Sequence, residues 1–154
     1  MTQAQAEQVK REFLRRGLDH VLPVGLPIVH PVHGCEWVMP GYCFDGDSGV
    51  PDWCLEASCE HDHNYQSGTV NGWEITRQWA DRRYRAGYVN RGMRVIGNYR
   101  YVGLRMFGWW TWNRYRKLDG AETIAANTLP DAVNWSFPDR SWMLNDAVYN
   151  GGEN

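Results

Sequence analysis

The chain has 154 residues, with 16 Lys and Arg against 18 Asp and Glu, and a formal net charge of −2. This length fits one domain that can bury a core without covalent staples. The charge gives no overall attraction to nucleic acid, so specific nucleic-acid binding is not expected, and no segment is long and apolar enough to span a bilayer.

The first predicted element is an amphipathic helix within residues 1–18. Its apolar positions include Ala6, Val9 and Phe13, with good helix formers between them. We expect it to form an N-terminal helical arm. The same stretch has no apolar run followed by a small-residue cleavage site, so we expect no secretory signal and synthesis in a cytoplasm.

A long loop region is predicted next, from Leu22 to Pro51, because prolines and glycines interrupt any extended element there. The prolines are Pro23, Pro27, Pro31, Pro40 and Pro51. Only short strands are expected in this region. It fits a metal-binding loop better than a hinge.

Two predicted helices then carry the residues that matter for chemistry. The first, at about 53–66, contains His61-Asp62-His63-Asn64-Tyr65, and the second, at about 73–90, contains Asp81. The turn at residues 67–72 makes the helices antiparallel, so Asp81 returns to His61. His61 and Tyr65 share one helix face at i and i+4, while Asp62 projects roughly 100° away.

A break at Gly92 precedes a further helix, predicted from about Val95 to Lys117. It is rich in large apolar and aromatic residues, and we expect it to be the main packing partner of the helix pair. These residues include Tyr99, Tyr101, Leu104, Phe107 and Trp110. After Asp119 no sustained period remains, so residues 119–154 are predicted to form an irregular aromatic tail.

The residue types around position 61 match the requirements of a hydrolase. A neutral imidazole can take a proton from water near physiological pH, and a buried carboxylate on its far ring nitrogen fixes its tautomer. We assign these roles to His61 and Asp81. A carboxylate beside the base, joined by backbone carbonyls, is the hard-oxygen set that calcium prefers, and Asp62 is the candidate ligand.

The order and spacing of these motifs resemble the phospholipase A2 family, and within it the short viral lipases carried on parvovirus capsids. The resemblance covers about residues 37–88. Its segments are Trp37-Val38-Met39-Pro40-Gly41, Gly49-Val50-Pro51-Asp52, Glu56-Ala57-Ser58, His61-Asp62-His63-Asn64-Tyr65 and Ala80-Asp81. It implies a mainly α fold in which a phospholipase A2-like pair of antiparallel helices carries the site, within a domain spanning residues 19–118.

The resemblance also implies a reaction and roles for its residues. The reaction is calcium-dependent hydrolysis of the sn-2 ester of a glycerophospholipid. His61 would activate the attacking water, Asp81 would orient His61, and Tyr65 would hydrogen-bond to Asp81.

Calcium would be held by Asp62 and by the main-chain carbonyl groups of Trp37, Met39 and Gly41. Met39 stands where the family has glycine, and a loop that approaches a metal closely tolerates a side chain poorly. An active enzyme and a relic that has lost its metal site are both compatible with this sequence.

The implied partner is a phospholipid membrane surface, and the implied location is a virus or phage particle, with other virion subunits or a second copy as further partners. The alternative function is a non-catalytic tail or capsid protein that retains the fold. The arginines of the middle region form either a solvated helix face or a phosphate-binding surface.

A third class of function is a zinc-stabilised binding module. Four cysteines precede or enter the candidate site, and Cys54 and Cys59 with His63 are the candidate zinc ligands. The spacing is poor for zinc because no second Cys pair accompanies them. Reduced, buried cysteines are expected in a cytosol.

Overall fold

The structure, a computed structural model, describes residues 8, 11–12, 15, 17–18, 20–22, 25–47, 50–51 and 53–129. Most of the predicted N-terminal arm and residues 130–154 of the predicted tail lie outside the described residues. Within the described part, four helices dominate and three short two-stranded sheets accompany them. The mainly helical composition expected from the sequence is therefore confirmed.

Four short strands lie among the described residues between positions 20 and 44. They are β1 (His20–Val21), β2 (Leu26–His30), β3 (Gly34–Val38) and β4 (Cys43–Phe44). β2 pairs with β3 in an antiparallel hairpin, and β1 pairs with β4, also antiparallel. For the described residues of this Pro- and Gly-rich region, the prediction of only short strands is confirmed.

Helix α1 (Leu55–Ser67) ends where Gly68 takes a left-handed backbone with φ of 67°, and the Gly68 N–H donates to the carbonyl oxygen of Asn64. The segment after it is not a simple turn. It forms a hairpin of β5 (Thr69–Val70) and β6 (Trp73–Glu74).

Helix α2 (Arg77–Asn90) consequently begins four residues later than predicted. Thr76 sets this start, because its Oγ1 accepts a hydrogen bond of 3.1 Å from the backbone N–H of Trp79. α2 crosses α1 closely at Gly87, where a Cβ would lie 2.7 Å from the Cβ of Ala57. The two helices are packed against each other as the sequence predicted.

Helix α3 (Arg94–Tyr115) packs on α2, as expected for the main packing partner, although several of its large side chains are exposed. Tyr99, Phe107 and Trp110 are 79%, 71% and 61% exposed, whereas Gly97 and Arg100 are buried. Because the helix carries apolar residues all round, its sequence period did not identify the buried face. No helix among the described residues combines the length and apolarity that crossing a bilayer requires.

A short helix, α4 (Gly120–Ala126), occupies the start of the segment predicted to be irregular. Asp119 caps it by accepting a hydrogen bond of 3.0 Å from the backbone N–H of Glu122. The end of α4 returns to the loop before β4, where the N–H of Leu129 donates to the carbonyl oxygen of Gly41 at 2.9 Å. This part of the predicted tail belongs to the folded body.

The main core lies between the strands and α1, and it ends at the candidate site. Its buried members are Leu22, Leu26, Ile28, Val38, Tyr42, Phe44, Cys59, Tyr65, Val70, Ile75 and Ala80. A second buried cluster joins α1 to α2 and consists of Cys54, Ala57, Tyr84 and Tyr88. Burial of these apolar groups fixes the relative positions of α1 and α2, and hence of the side chains between them.

Candidate active site

Three of the predicted site residues meet between α1 and α2. His61 Nε2 lies 3.2 Å from Asp81 Oδ1, and the Tyr65 hydroxyl donates to the same oxygen at 2.6 Å. The His61 residue is 8% exposed and Asp81 is 0% exposed. The predicted juxtaposition of residues 61 and 81 is therefore present, and the predicted hydrogen bond from Tyr65 is present with it.

This geometry assigns the two imidazole nitrogens of His61 to different tasks. A carboxylate only accepts hydrogen bonds at neutral pH, so Nε2 carries the proton and Nδ1 holds the free lone pair. His61 lines a cleft of about 980 Å³. A base with its orienting carboxylate behind it and open space before it has the arrangement that general-base catalysis requires.

The second oxygen of Asp81 is held by arginines that the sequence analysis did not assign. Arg105 Nη1 lies 2.9 Å from Asp81 Oδ2, and Arg77 Nη1 lies 3.7 Å from it. Burial raises the pKa of Asp81, but hydrogen bonds from His61, Tyr65 and Arg105 outweigh burial and hold that pKa below its usual value. Asp81 is thus a stable anion beside the imidazole.

A signal for one of these arginines is present in the sequence. Arg77 precedes Asp81 by four residues in a helix, which places the two side chains on the same face. Arg105 comes from α3 and has no local signal.

α3 comes close to Tyr65 at Gly108. A Cβ at this position would lie 2.6 Å from the Tyr65 hydroxyl. The Arg77 guanidinium, in turn, donates to the carbonyl oxygen of Leu104 at 2.9 Å. Glycine at 108 is therefore what allows α3 to close over the tyrosine that holds Asp81.

Asp62 faces a second group of carboxylates in the same cleft. Its Oδ2 atom is buried and accepts no hydrogen bond from the described residues. Burial raises the pKa of Asp62 well above its usual value, and the neighbouring carboxylates of Asp45 and Asp47 raise it further. An orphaned buried oxygen beside other carboxylates fits a hard divalent cation, whose charge would offset both effects.

Two of the three residues predicted to supply carbonyl ligands line a different cleft from Asp62. Trp37 and Met39 line another cleft, of about 580 Å³, together with His63. The Met39 carbonyl accepts from the N–H of Tyr42 at 3.3 Å, and the Gly41 carbonyl accepts from Leu129. The Gly41 carbonyl also accepts from the Cys43 thiol at 3.4 Å, so both of its lone pairs are engaged, and the role of these carbonyls as calcium ligands stays a prediction.

The segment from Asp45 to Asp47, which sequence analysis did not single out, lines the main cleft beside Asp62. Asp47 anchors it, because its carboxylate accepts hydrogen bonds from Ser58 at 2.6 Å and from Tyr84 at 2.5 Å. Tyr88 and Arg100 donate to it as well. The acidic pair flanking Gly46 was the available signal in the sequence.

The candidate zinc ligands lie in different places. Cys54 belongs to the cluster with Tyr84 and Tyr88, whereas Cys59 belongs to the main core. Burial raises the pKa of Cys54 to about 11 and lowers the pKa of His63 to about 4. Within the described ranges no group of three His, Cys, Asp or Glu side chains converges as metal ligands would.

Comparison with protein-family models, with curated proteins and with solved structures returned no match to this chain.

Proposed function

We propose that the protein hydrolyses the sn-2 ester of glycerophospholipids with water as the nucleophile. The observation that carries this proposal is the His61–Asp81–Tyr65 arrangement at the wall of an open cleft. The motif order that resembles the phospholipase A2 family supports the choice of substrate.

In the proposed reaction, His61 Nδ1 takes a proton from a water molecule as its oxygen attacks the ester carbonyl carbon. The imidazolium that forms is stabilised by the Asp81 carboxylate, whose charge is fixed by its other hydrogen bonds. The tetrahedral adduct then collapses, and His61 returns the proton to the leaving alkoxide. The products are a fatty acid and a lysophospholipid, and no acyl-enzyme forms.

Calcium is part of the proposal, with Asp62 and Asp45 as the side chains that would hold it. Bound there, the ion would supply positive charge for the oxygen that becomes negative during attack. The role of the protein is to keep Asp62 beside His61 on one turn of α1 and to anchor the Asp45–Asp47 segment through Asp47.

The wall of the cleft also suits a lipid substrate. Val50, Val102, Met106 and Phe107 line the cleft together with His61. Apolar side chains next to a general base provide a place for acyl chains, whose transfer from water to such a surface is favourable.

The test is fatty-acid release from phospholipid vesicles. We expect release by the full chain in the presence of calcium, no release with a chelator, and a loss of about 10²–10⁴-fold in His61→Ala. The matched control is His33→Ala, the same substitution at a partly buried histidine in the turn between β2 and β3. Equal release by the His61 variant and the control would refute the assignment.

The alternative is a non-catalytic tail or capsid protein. The exposed aromatic side chains of α3 are the observation that favours it, because such rings suit subunit contacts. It predicts particle assembly that depends on α3 and no fatty-acid release under any calcium concentration. If the protein is an enzyme, carriage in a virus or phage particle would allow that particle to breach a membrane.

A further inference from the structure

The outward side of α3 is a continuous apolar surface. Its members recur every three or four residues, which aligns them along one side of a helix. They are Val95, Tyr99, Val102, Met106, Trp109 and Trp110, all exposed. Gly97 and Arg100 mark the opposite, buried side. We call the six exposed residues the α3 face.

The charged residues of the sequence segment that contains α3 are all positive. None of the 18 acidic residues falls between Asp81 and Asp119, whereas ten of the 16 Lys and Arg residues do. They are Arg82, Arg83, Arg85, Arg91, Arg94, Arg100, Arg105, Arg114, Arg116 and Lys117. In a chain with a net charge of −2, this segregation makes the segment basic, although Arg83, Arg91, Arg100 and Arg105 pair with carboxylates from other parts of the chain.

Some of these cations are used inside the fold, and others are exposed beside the α3 face. Arg100 and Arg105 pair with Asp47 and Asp81. Arg94, at the start of α3, and Arg114, near its end, are exposed and have no acidic partner among the described residues. Exposed aromatic and apolar side chains accompanied by Arg or Lys are features of helices that lie in a membrane interface.

The α3 face is also continuous with the candidate active site. Tyr99, Val102 and Met106 line the cleft that contains His61 and Asp62. A flat surface that rested on these side chains would cover the opening of the cleft. A molecule that left this surface would then enter the cleft next to His61.

We propose that the α3 face docks the protein onto an anionic lipid surface. This inference rests on the proposed function for the orientation of the docked protein, because docking through the α3 face turns the opening of the cleft toward the lipid. Tyr and Trp rings suit the headgroup zone, and the flanking arginines attract anionic headgroups. Pairing of the face with a second copy would bring two basic helices together, which charge repulsion opposes.

The test measures co-sedimentation of the full chain with sucrose-loaded vesicles of phosphatidylcholine alone or mixed with phosphatidylglycerol. His61→Ala is the background in all arms, so that the lipid is not hydrolysed. We expect binding to the mixed vesicles at least about tenfold tighter than to phosphatidylcholine, and a decrease of that difference at high salt.

The variant that tests the face is Val95→Asp with Trp109→Asp, because neither residue lines the cleft. Loss of two apolar groups that docking would bury against the lipid, and addition of negative charge, are expected to weaken binding by about a hundredfold. Val32→Asp is the matched control, since Val32 is about as exposed as Val95 but lies in the turn between β2 and β3. Arg94→Glu with Arg114→Glu is expected to remove the preference for phosphatidylglycerol.

Three results would overturn the proposal. The first is equal vesicle binding by the Val95/Trp109 variant and the Val32 control. The second is stronger binding of the basic region to duplex DNA than to anionic vesicles. The third is a dimer in sedimentation that the Val95/Trp109 variant converts to a monomer, which would assign the face to a second copy.

The outcomes separate docking from catalysis. If vesicle binding depends on the α3 face but no fatty acid is released, the docking surface stands and the proposed function fails. If the protein with intact His61 hydrolyses dispersed short-chain phospholipid but vesicles are not bound through the face, catalysis stands and the docking surface fails.

Discussion

Arg105 of α3 and His61 of α1 hold opposite oxygens of a single buried carboxylate, that of Asp81 in α2. The Arg105 contact is 2.9 Å long and the His61 contact is 3.2 Å long. Three helices therefore converge on one charge that is fully removed from solvent. A buried carboxylate is costly unless it is paired and hydrogen-bonded, so these contacts keep Asp81 ionised beside the imidazole.

Arg105→Gln is expected to lower the free energy of unfolding by about 1–2 kcal/mol at pH 7, since it removes a charged hydrogen bond to a buried anion. The folded-state pKa of Asp81 lies below its usual value, so its contribution is present above about pH 4 and is lost as pH falls through the folded-state pKa. Urea unfolding at pH 7 and pH 3 should show the difference between variant and wild type shrinking at the lower pH. Arg82→Gln, at an exposed position of α2, should show no difference at either pH.

Gly108→Ala is expected to damage the site without removing any of its functional groups. The added Cβ would lie 2.6 Å from the Tyr65 hydroxyl, so Tyr65 or α3 must shift. We expect a loss of stability of about 1–3 kcal/mol together with reduced fatty-acid release.

Gly103→Ala is the control for the Gly108 variant, because nothing lies within 4 Å of a Cβ at that position. Replacement of glycine by alanine in an open helical position should stabilise the protein by about 0.5–1 kcal/mol. If the two variants have similar thermal midpoints, α3 does not make a close contact with Tyr65 at position 108.

Asp47→Asn is expected to destabilise the protein by about 3–5 kcal/mol, because it leaves the buried guanidinium of Arg100 without its carboxylate. Adding Arg100→Met should restore part of the loss, since the uncompensated charge is then gone. Chemical denaturation of the single and double variants measures this coupling. Additive losses in the double variant would argue against a shared buried pair.

The helix pair and its central contact could be predicted from the sequence because they depend on local patterns. His61 and Tyr65 are four residues apart, and a short connection between the two helices makes them antiparallel neighbours. Position 81 then lies within reach of position 61. The proximity of these two positions holds even though the predicted start of α2 was wrong by four residues.

Other features depended on information that a local pattern does not contain. The exposed side of α3 was not predicted because apolar residues occupy all sides of this helix, so that burial had to be decided by contacts with α2. Arg105 and the Asp45–Asp47 segment reach the site from distant parts of the chain. α4 was predictable in principle, since Asp119 followed by Glu122 is a helix-start pattern.

Asp62→Asn is expected to stabilise the protein in the absence of calcium. The folded-state pKa of Asp62 is raised by burial and by Asp45, so the ionised group opposes folding at neutral pH and that cost decreases as pH falls. The neutral, nearly isosteric amide removes this repulsion. In the wild type, calcium is expected to raise the thermal midpoint by offsetting the same charges, and the variant should lose this response.

Thermal unfolding with and without calcium measures both effects of the Asp62 substitution. Asp119→Glu, which retains a carboxylate at the exposed cap of α4, is a control that should keep the calcium response. If the thermal midpoint of Asp62→Asn still rises with calcium, the calcium site lies away from α1. Destabilisation of the calcium-free variant would instead show that Asp62 makes a favourable contact as an anion, which contradicts the raised pKa.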